Sequence, residues 1–272
     1  MLGVGVGVTL AFIYIPLIVI AIYAFNGGTT LKWPLESLTT EWFGQAIENQ
    51  GAREALWTSV RVGAAATGIA LVLGTLASFA VARYRFFGRE TISFLVVLPL
   101  ALPGIVTGVA LSNTFTQVFG IDLSLFTVIV AHATFCIVIV YNNVIARLRR
   151  VSENLEEASA DLGAHTWQTF RHITFPNMQT ALVAGGLLAF ALSFDEIIVT
   201  TFTLGAGEQT LPIWIFSNLF RGQQFQLTNV VAVMAVAISI IPVYLAHRLT
   251  REEEGVAGAR AGGAVREATA VP

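Results

Sequence analysis

Two adjacent carboxylates, Asp195 and Glu196, lie well inside a long apolar stretch of the sequence. An ionised carboxylate in hydrocarbon is costly, so such a residue is expected to face the interior of a helix bundle and to mark a path or a paired charge. Phe190 and Phe194 precede the pair at helical spacing. Carboxylates beside aromatic faces suit an organic cation, through charge pairing and cation–π contact.

A structural role is the alternative for these four residues. Arg61, at the start of another apolar stretch, would neutralise one of the two carboxylates. Otherwise one carboxylate would take part in capping a broken helix. Phenylalanines four residues apart are also typical of ordinary packing on one helix face.

The other side chains that commonly catalyse reactions or bind metals are scattered. The one cysteine, Cys136, excludes a disulfide within the chain and a cysteine-rich metal site. The four histidines form no close ligand pair, and His132 is expected to be a hydrogen-bonded packing residue. The sequence has no Gly-x-Ser-x-Gly elbow and no G-x-x-x-x-G-K-[ST] phosphate loop. We therefore predict no catalytic residue, no metal site and no cofactor bound by this chain.

The composition indicates a membrane protein. Of 272 residues, 55% are hydrophobic and 12% are charged, whereas an average soluble domain has about 25% charged residues. The net charge of −2 gives no basic surface for nucleic acid. We predict an all-α protein embedded in lipid.

Six stretches are long and apolar enough to cross a bilayer as helices, which takes roughly 20 residues. We predict one membrane domain over residues 1–250 and a disordered cytoplasmic tail over 251–272, where little can be buried. The six predicted spans are Val4–Ala24, Val62–Val81, Ile92–Ser112, Leu125–Ala146, Ala181–Leu204 and Asn229–Ala246.

The second and third predicted spans carry packing signals. Small residues four apart, Ala64 with Gly68 and Gly74 with Ser78, allow close helix approach. In the third span, Pro99 and Pro103 each remove a helix hydrogen bond, so a kink is expected there. The carbonyl groups freed by a kink face either a cavity or a neighbouring helix, which leaves a place on a transport path and a purely structural bend both open.

Arginine placement predicts the orientation, because cytoplasmic loops are enriched in Lys and Arg. Three segments hold most of these residues, and both termini are therefore predicted to be cytoplasmic. The cytoplasmic set is Arg83, Arg85, Arg89, Arg147, Arg149, Arg150, Arg171, Arg248, Arg251, Arg260 and Arg266, against Lys32, Arg53 and Arg221 outside.

The cytoplasmic segment 147–180 reads as two short helices. Ser152 can cap the first, Gly163 should stop it, and Pro176 should end the second. Such a helix pair outside the bilayer either docks on a partner or lies on the membrane surface. The first helix has one small-to-apolar face at helical spacing, formed by Leu155, Ala158, Ser159 and Leu162.

A spaced motif makes this segment recognisable. It resembles the EAA-x3-G-x9-I-x-L-P signature of the permease subunits of ABC importers, with Ser159 in place of the second Ala and Phe175 in place of Leu. The motif reads Glu157-Ala158-Ser159, three residues, Gly163, nine residues, Ile173-Thr174-Phe175-Pro176.

The resemblance implies a type I ABC importer permease fold, with a cytoplasmic coupling helix between helices 4 and 5. We call 147–180 the coupling loop. The implied partners are an ATPase dimer that binds ATP and Mg, a second permease subunit, an extracytoplasmic binding protein and the lipid of a bacterial inner membrane. The residues implied to couple to the ATPase are Glu157, Ala158, Ser159, Gly163, Ile173 and Pro176.

A narrower resemblance concerns the cargo. The stretch from Phe190 to Thr201, followed by 207–214, is similar to the second permease subunit of spermidine/putrescine importers, the PotC type. It implies polyamine transport without chemistry on the cargo. Another solute, such as iron, a phosphonate or another small organic ion, is the alternative, followed by a secondary transporter, although no internal duplication supports the latter. The predicted pathway residues are Asp195, Glu196, Phe194, Phe190, Pro99 and Pro103.

Overall fold

The computed structural model describes residues 2–28, 32–35, 37–152, 154–219 and 225–268, with side chains of residues 3–248 within these ranges. Its elements are helices, in chain order α1 (Leu2–Tyr23), α2 (Glu41–Glu48), α3 (Gln50–Arg83), α4 (Arg89–Ala101), α5 (Gly104–Asn113), α6 (Leu125–Leu148), α7 (Asn154–Asp161), α8 (Thr166–Thr169), α9 (Phe175–Phe194), α10 (Ile198–Thr203), α11 (Leu211–Leu219) and α12 (Phe225–Ala268). Two π-helical turns adjoin them, Thr114–Val118 after α5 and Phe170–Thr174 before α9.

Of the six predicted spans, the described residues contain five as single helices, and six when one bent helix pair counts as a span. Five are helices long and apolar enough to cross a membrane, in α1, α3, α6, α9 and α12. The sixth is the pair α4 and α5, bent by 105° at its break. The predicted proline kink is therefore a complete interruption of the helix, with Pro103 immediately before α5.

Helices α3, α6 and α9 form the centre of the bundle. Their buried side chains are mostly small or β-branched, which lets the helices approach closely. The Ser78 hydroxyl shares its proton between the Gly74 carbonyl of its own helix, at 2.7 Å, and the Tyr141 carbonyl of α6, at 3.1 Å. A Cβ at Gly74 would lie 3.0 Å from the Ile137 carbonyl oxygen, whereas one at Gly68 would meet nothing within 4 Å. Close packing is thus confirmed at Gly74 and Ser78, and Gly68 faces away from the rest of the chain.

The fifth predicted span is wrong in one respect that matters for function. Helix α9 ends at Phe194, and a new helix, α10, begins at Ile198. Asp195 and Glu196 lie in the break between them, not well inside a helix. The break forms here because the Glu196 carboxylate binds the backbone N–H of Val199 at 2.8 Å, which caps α10 and competes with continued helix.

The coupling loop contains the two predicted helices, with one correction. Gly163 has a φ of +84° and ends α7, as predicted. Pro176 does not end the following helix: it lies in the first turn of α9. Proline is tolerated there because first-turn N–H groups have no intrahelical partner, so the chain passes from α8 through the π-helical turn into α9.

The backbone of α12 stays helical to Ala268, which differs from the disorder that the composition after Arg251 predicts. Ala, Glu and Arg are strong helix formers, so a helix leaving the bilayer can continue through them without apolar contacts. Residues 269–272 and Arg221 lie outside the described residues. The domain boundary at 250 stays a prediction.

The packing of α3 on α6 yields a stability prediction. Gly74→Val should lower the free energy of unfolding by about 1–3 kcal/mol, because the new side chain forces α3 away from the α6 backbone. Gly68→Val is the matched control on the same helix and should change it by less than about 1 kcal/mol. Denaturant titration of the purified chain in detergent micelles measures both, and equal effects would contradict the close contact.

Candidate functional site

Two helix breaks lie side by side in the structure. The break before α5 lies beside the break before α10, since a Cβ at Gly104 would be 3.5 Å from Ile198. One turn further along, a Cβ at Gly108 would be 2.9 Å from the ring of Phe202. Non-helical backbone at membrane depth is tolerated only where protein buries it or water reaches it. The paired breaks therefore form a candidate site.

The two carboxylates at the second break have different surroundings. Glu196 is partly buried and is committed to capping α10 through Val199. Asp195 is exposed and lines a groove of about 860 Å³ between the break and helices α11 and α12. The remainder of that groove is mostly apolar, with Tyr244 and His247 among its polar side chains. Asp195 alone of the pair is thus free to meet a cation.

The two predicted aromatic residues pack against each other. The rings of Phe190 and Phe194 stack with centroids 5.9 Å apart. Phe194 is 3% exposed and adjoins the Asp195 groove. Phe190 lies against Gly63 of α3 and lines a different groove of about 670 Å³ between α3 and α9. The structure therefore brings Phe194 to Asp195, while Phe190 belongs to the contact between α3 and α9.

The two alternatives for the carboxylates now separate. Arg61 donates to the Thr58 hydroxyl at 3.4 Å, and no ion pair joins it to Asp195 or Glu196 in the described part of the chain. Capping of a broken helix, the other alternative, is what Glu196 does. Pro99 is partly buried within α4 and Pro103 is exposed at the break, so both shape the bend and neither lines the Asp195 groove.

His132 of α6 spans the break between α9 and α10. Its Nδ1 lies 2.7 Å from the Ser193 hydroxyl on α9, and its Nε2 lies 2.9 Å from the Thr200 hydroxyl on α10. Thr200 donates its proton to the Glu196 carbonyl at 2.9 Å, so it accepts from Nε2–H. A neutral ring with the proton on Nε2 then accepts from Ser193 at Nδ1. The prediction of a hydrogen-bonded packing histidine is confirmed, and its position fixes both sides of the break.

The coupling loop exposes some motif residues and buries others. Glu157 and Ala158 are exposed on α7. Ser159 is buried, with its hydroxyl 3.0 Å from that of Thr169, so it joins α7 to α8. Gly163 and Pro176 are exposed, and Ile173 is partly buried. Ser159 therefore acts inside the loop, and the surface available to a partner lies around Glu157.

Large apolar side chains of the same loop remain uncovered. Leu162 is 88% exposed and Trp167 is 62% exposed, and Leu155 is also exposed. Exposed apolar side chains that cluster on a short helix pair are typical of an interaction surface.

Sequence reasoning missed an ion pair at the base of this loop. Arg83, at the end of α3, binds Glu156 of α7 at 3.0 Å. The two partners are 73 positions apart, so the sequence contains no local sign of the pair. The one weak signal was a basic residue in the last turn of a helix. Elsewhere in the described residues, no group of three His, Cys, Asp or Glu side chains is placed to hold a metal.

The contacts of His132 across the break between α9 and α10 lead to a testable prediction. His132→Ala should lower the free energy of unfolding by about 1–3 kcal/mol, because the buried Ser193 hydroxyl loses its partner and the Thr200 hydroxyl keeps only the Glu196 carbonyl. His172, exposed on the coupling loop, is the matched control, and His172→Ala should cost less than about 0.5 kcal/mol. Denaturant titration in micelles compares the two variants. A loss of unfolding free energy in His132→Ala no larger than in His172→Ala would contradict the role of His132 in holding α9 and α10 together.

Comparisons with known proteins identify the family of this chain. Residues 70–251 match the family described as binding-protein-dependent transport system inner membrane component. The putrescine transport system permease protein PotI of Escherichia coli (strain K12) is 30% identical over 250 residues, which cover 89% of this chain and 88% of PotI. The spermidine/putrescine transport system permease protein PotC of Haemophilus influenzae is 31% identical over 246 residues, covering 90% and 94%.

A solved structure shares the fold. In the crystal structure of a bacterial alginate ABC transporter with its alginate pentasaccharide-bound periplasmic protein, one chain matches with a TM-score of 0.70 at 14% identity, over 93% of each chain. The predicted all-α ABC importer permease fold is confirmed, and the chain is a multi-pass membrane transport subunit, not an enzyme. This chain belongs to the family of binding-protein-dependent transport system inner membrane components.

Proposed function

We propose that the chain passes a polyamine, such as putrescine or spermidine, across the inner membrane, and that Asp195 is the carboxylate its ammonium groups meet. The observation that carries the proposal is the exposed Asp195 side chain in a largely apolar groove at a helix break. Relatives named as putrescine and spermidine/putrescine permeases, which align with about nine-tenths of the chain, support it.

The chemistry of the groove suits such a cation. A polyamine is a flexible methylene chain with charged ends, so it needs apolar walls and a few carboxylates or dipoles. Asp195 stands at the C-terminus of α9, where the helix dipole is negative and favours a cation. Tyr244 adds an aromatic face to the same groove.

The coupling loop is the proposed contact with an ATPase dimer, which would bind ATP and Mg. The exposed Glu157, Leu162 and Trp167 support this assignment, since nothing else in the described chain covers them. A second permease subunit and an extracytoplasmic binding protein would complete the importer. In this arrangement the coupling loop and both termini lie in the cytoplasm.

Asp195→Asn should reduce uptake of radiolabelled putrescine by about tenfold or more, because an interaction with a charged group worth about 1.5–3 kcal/mol is lost. Glu196→Gln should keep uptake within about twofold, since the amide oxygen still accepts from Val199. Asp122→Asn, an exposed acid before α6, is the matched control. Uptake is measured in vesicles that contain the assembled importer and its binding protein.

Two outcomes would contradict this assignment. Full putrescine uptake by the combined Asp195→Asn and Glu196→Gln variant would remove both carboxylates from the path. Failure of the unmodified importer to accumulate putrescine or spermidine, with ATP hydrolysis intact, would exclude the polyamine.

The docking surface is tested separately. Leu162→Glu should weaken association with the ATPase by about tenfold or more, as expected for an apolar anchor at an interface. Phe87→Glu is the matched control, because Phe87 is an exposed apolar residue in another loop on the same side. Co-purification in detergent measures the retained ATPase. Retention at the unmodified level in Leu162→Glu would favour a loop that rests on the membrane surface.

A further inference from the structure

We infer that Arg83, Glu156 and Thr174 form an internal link that transmits displacement of α7 to α3 and α9. The inference rests on the proposed contact between the coupling loop and an ATPase. The three residues are positioning residues: they bind neither the cargo nor the ATPase.

The Glu156 carboxylate is the centre of the link. One of its oxygens, Oε1, accepts hydrogen bonds from Arg83 Nε at 3.2 Å and from Arg83 Nη2 at 3.0 Å. The same oxygen accepts from the Thr174 hydroxyl at 3.1 Å. Arg83 Nη1 also reaches the Leu148 carbonyl at the end of α6, at 3.5 Å. The Glu156 carboxylate thus joins α7 to the inner end of α3 and to the turn leading into α9, and Arg83 extends the link to the end of α6.

The surroundings make this ion pair stronger than an ordinary surface pair. The side chains of Arg83 and Glu156 are only 12% and 25% exposed. Charge-assisted bonds shielded from water gain strength, and removal of one partner leaves the other charge without compensation. Movement of Glu156 should therefore carry Arg83 with it.

A second contact holds the same two parts of the chain together. The ring of Phe170, in the π-helical turn, lies edge-on to Phe79 of α3 with centroids 5.7 Å apart. Ser159 of α7 meets Thr169 of α8, so α7 and the turn move as one unit. The inner end of α3 is consequently attached to the coupling loop at both Phe79 and Arg83.

Helix α3 then connects the loop to the transport site. It has 34 residues, which span about 50 Å at 1.5 Å per residue. In its outer half, Gly63 lies against the Phe190 ring, a little more than one turn before the Asp195 break. Displacement of the inner end of α3 can therefore reach the groove that contains Asp195 without a contiguous path of polar contacts.

Neighbouring acids on α7 have separate roles in this arrangement. Successive helical residues point about 100° apart, so Glu156 faces the bundle while Glu157 is exposed. Loss of Glu156 should leave the docking surface intact, which distinguishes a defect of transmission from a defect of docking.

The test follows movement at the break itself. Asp195→Cys introduces a thiol in the groove, and Cys136, the one native cysteine, is buried. The assembled complex in lipid nanodiscs is labelled with a membrane-impermeant maleimide, with and without ATP and vanadate. Arg83→Gln, Glu156→Gln and the double variant are compared with Arg85→Gln and Glu90→Gln. These controls remove two exposed charges, one just after α3 and one in the first turn of α4.

We expect nucleotide to change the labelling rate in the parent and in both controls. In Arg83→Gln and in Glu156→Gln the factor by which nucleotide changes the labelling rate, in either direction, should shrink by about tenfold, within the range typical of coupling between two sites. The double variant should show no larger loss than either single variant, because both break the same pair. Co-purified ATPase should stay at the parent level throughout. Thr174→Val, a nearly isosteric change, should give a smaller loss in the same direction.

Three results would overturn the inference. A parent-like labelling ratio in Arg83→Gln and Glu156→Gln, additive losses in the double variant, or a loss that merely follows loss of bound ATPase would each do so. A parent complex that binds no ATPase, or whose labelling ignores nucleotide, would overturn the proposed function as well. The labelling does not require a polyamine as cargo, so an error in the cargo leaves this test valid.

Discussion

The constraint on which this structure depends is that backbone polar groups inside a bilayer must find partners within the protein. Helix α4 stops at the bend of a broken candidate span, and helix α9 stops at the end of another candidate span. Each stop exposes backbone that a continuous helix would satisfy. The chain answers by placing the following helices, α5 and α10, against each other, with Ile198 beside Gly104. His132 then ties α9 to α10 through two hydroxyl groups, and Glu196 caps α10. An otherwise costly break is thereby held open beside Asp195.

The end of the bundle that carries the coupling loop has a different task in the proposed importer, since its helices would have to move together as well as be stable. Here water is close, and weak surface charge pairs would transmit little. The Arg83–Glu156 pair is shielded, shares its oxygen with Thr174 and is backed by the edge-on rings of Phe79 and Phe170. Between the two ends, tight packing of α3 on α6 and α9 leaves few ways for a displacement to be absorbed, because close-packed interiors deform little.

Features set by local composition could be predicted from the sequence, and features set by distant partners could not. The six spans follow from apolar length, and the end of α7 follows from Gly163, whose positive φ suits glycine. No proline or glycine next to Phe194 indicates the interruption that follows it. It depends on a carboxylate that binds Val199 and on a histidine 61 and 68 positions from its partners. The Arg83–Glu156 pair is equally non-local. The prediction that Pro176 ends a helix was wrong because proline destabilises a helix interior but not its first turn. Pro176 falls in the first turn of α9 because the π-helical turn ends at Thr174, which the sequence does not indicate.

The two acidic pairs show why residue type alone does not assign a role. Glu156 and Glu157 are the same amino acid at adjacent positions, and Asp195 and Glu196 are adjacent and chemically similar. Each pair nevertheless contains one bound and one exposed carboxylate. In each case the bound member is the one that meets donors: Arg83 and Thr174 for Glu156, and the Val199 N–H for Glu196. A carboxylate already satisfied by fixed donors holds structure together, because another cation would have to displace them. The exposed neighbour keeps its capacity to bind a group from outside the chain. This is why Asp195 and Glu157 make the proposed functional contacts, whereas Glu196 and Glu156 stabilise the structure around them.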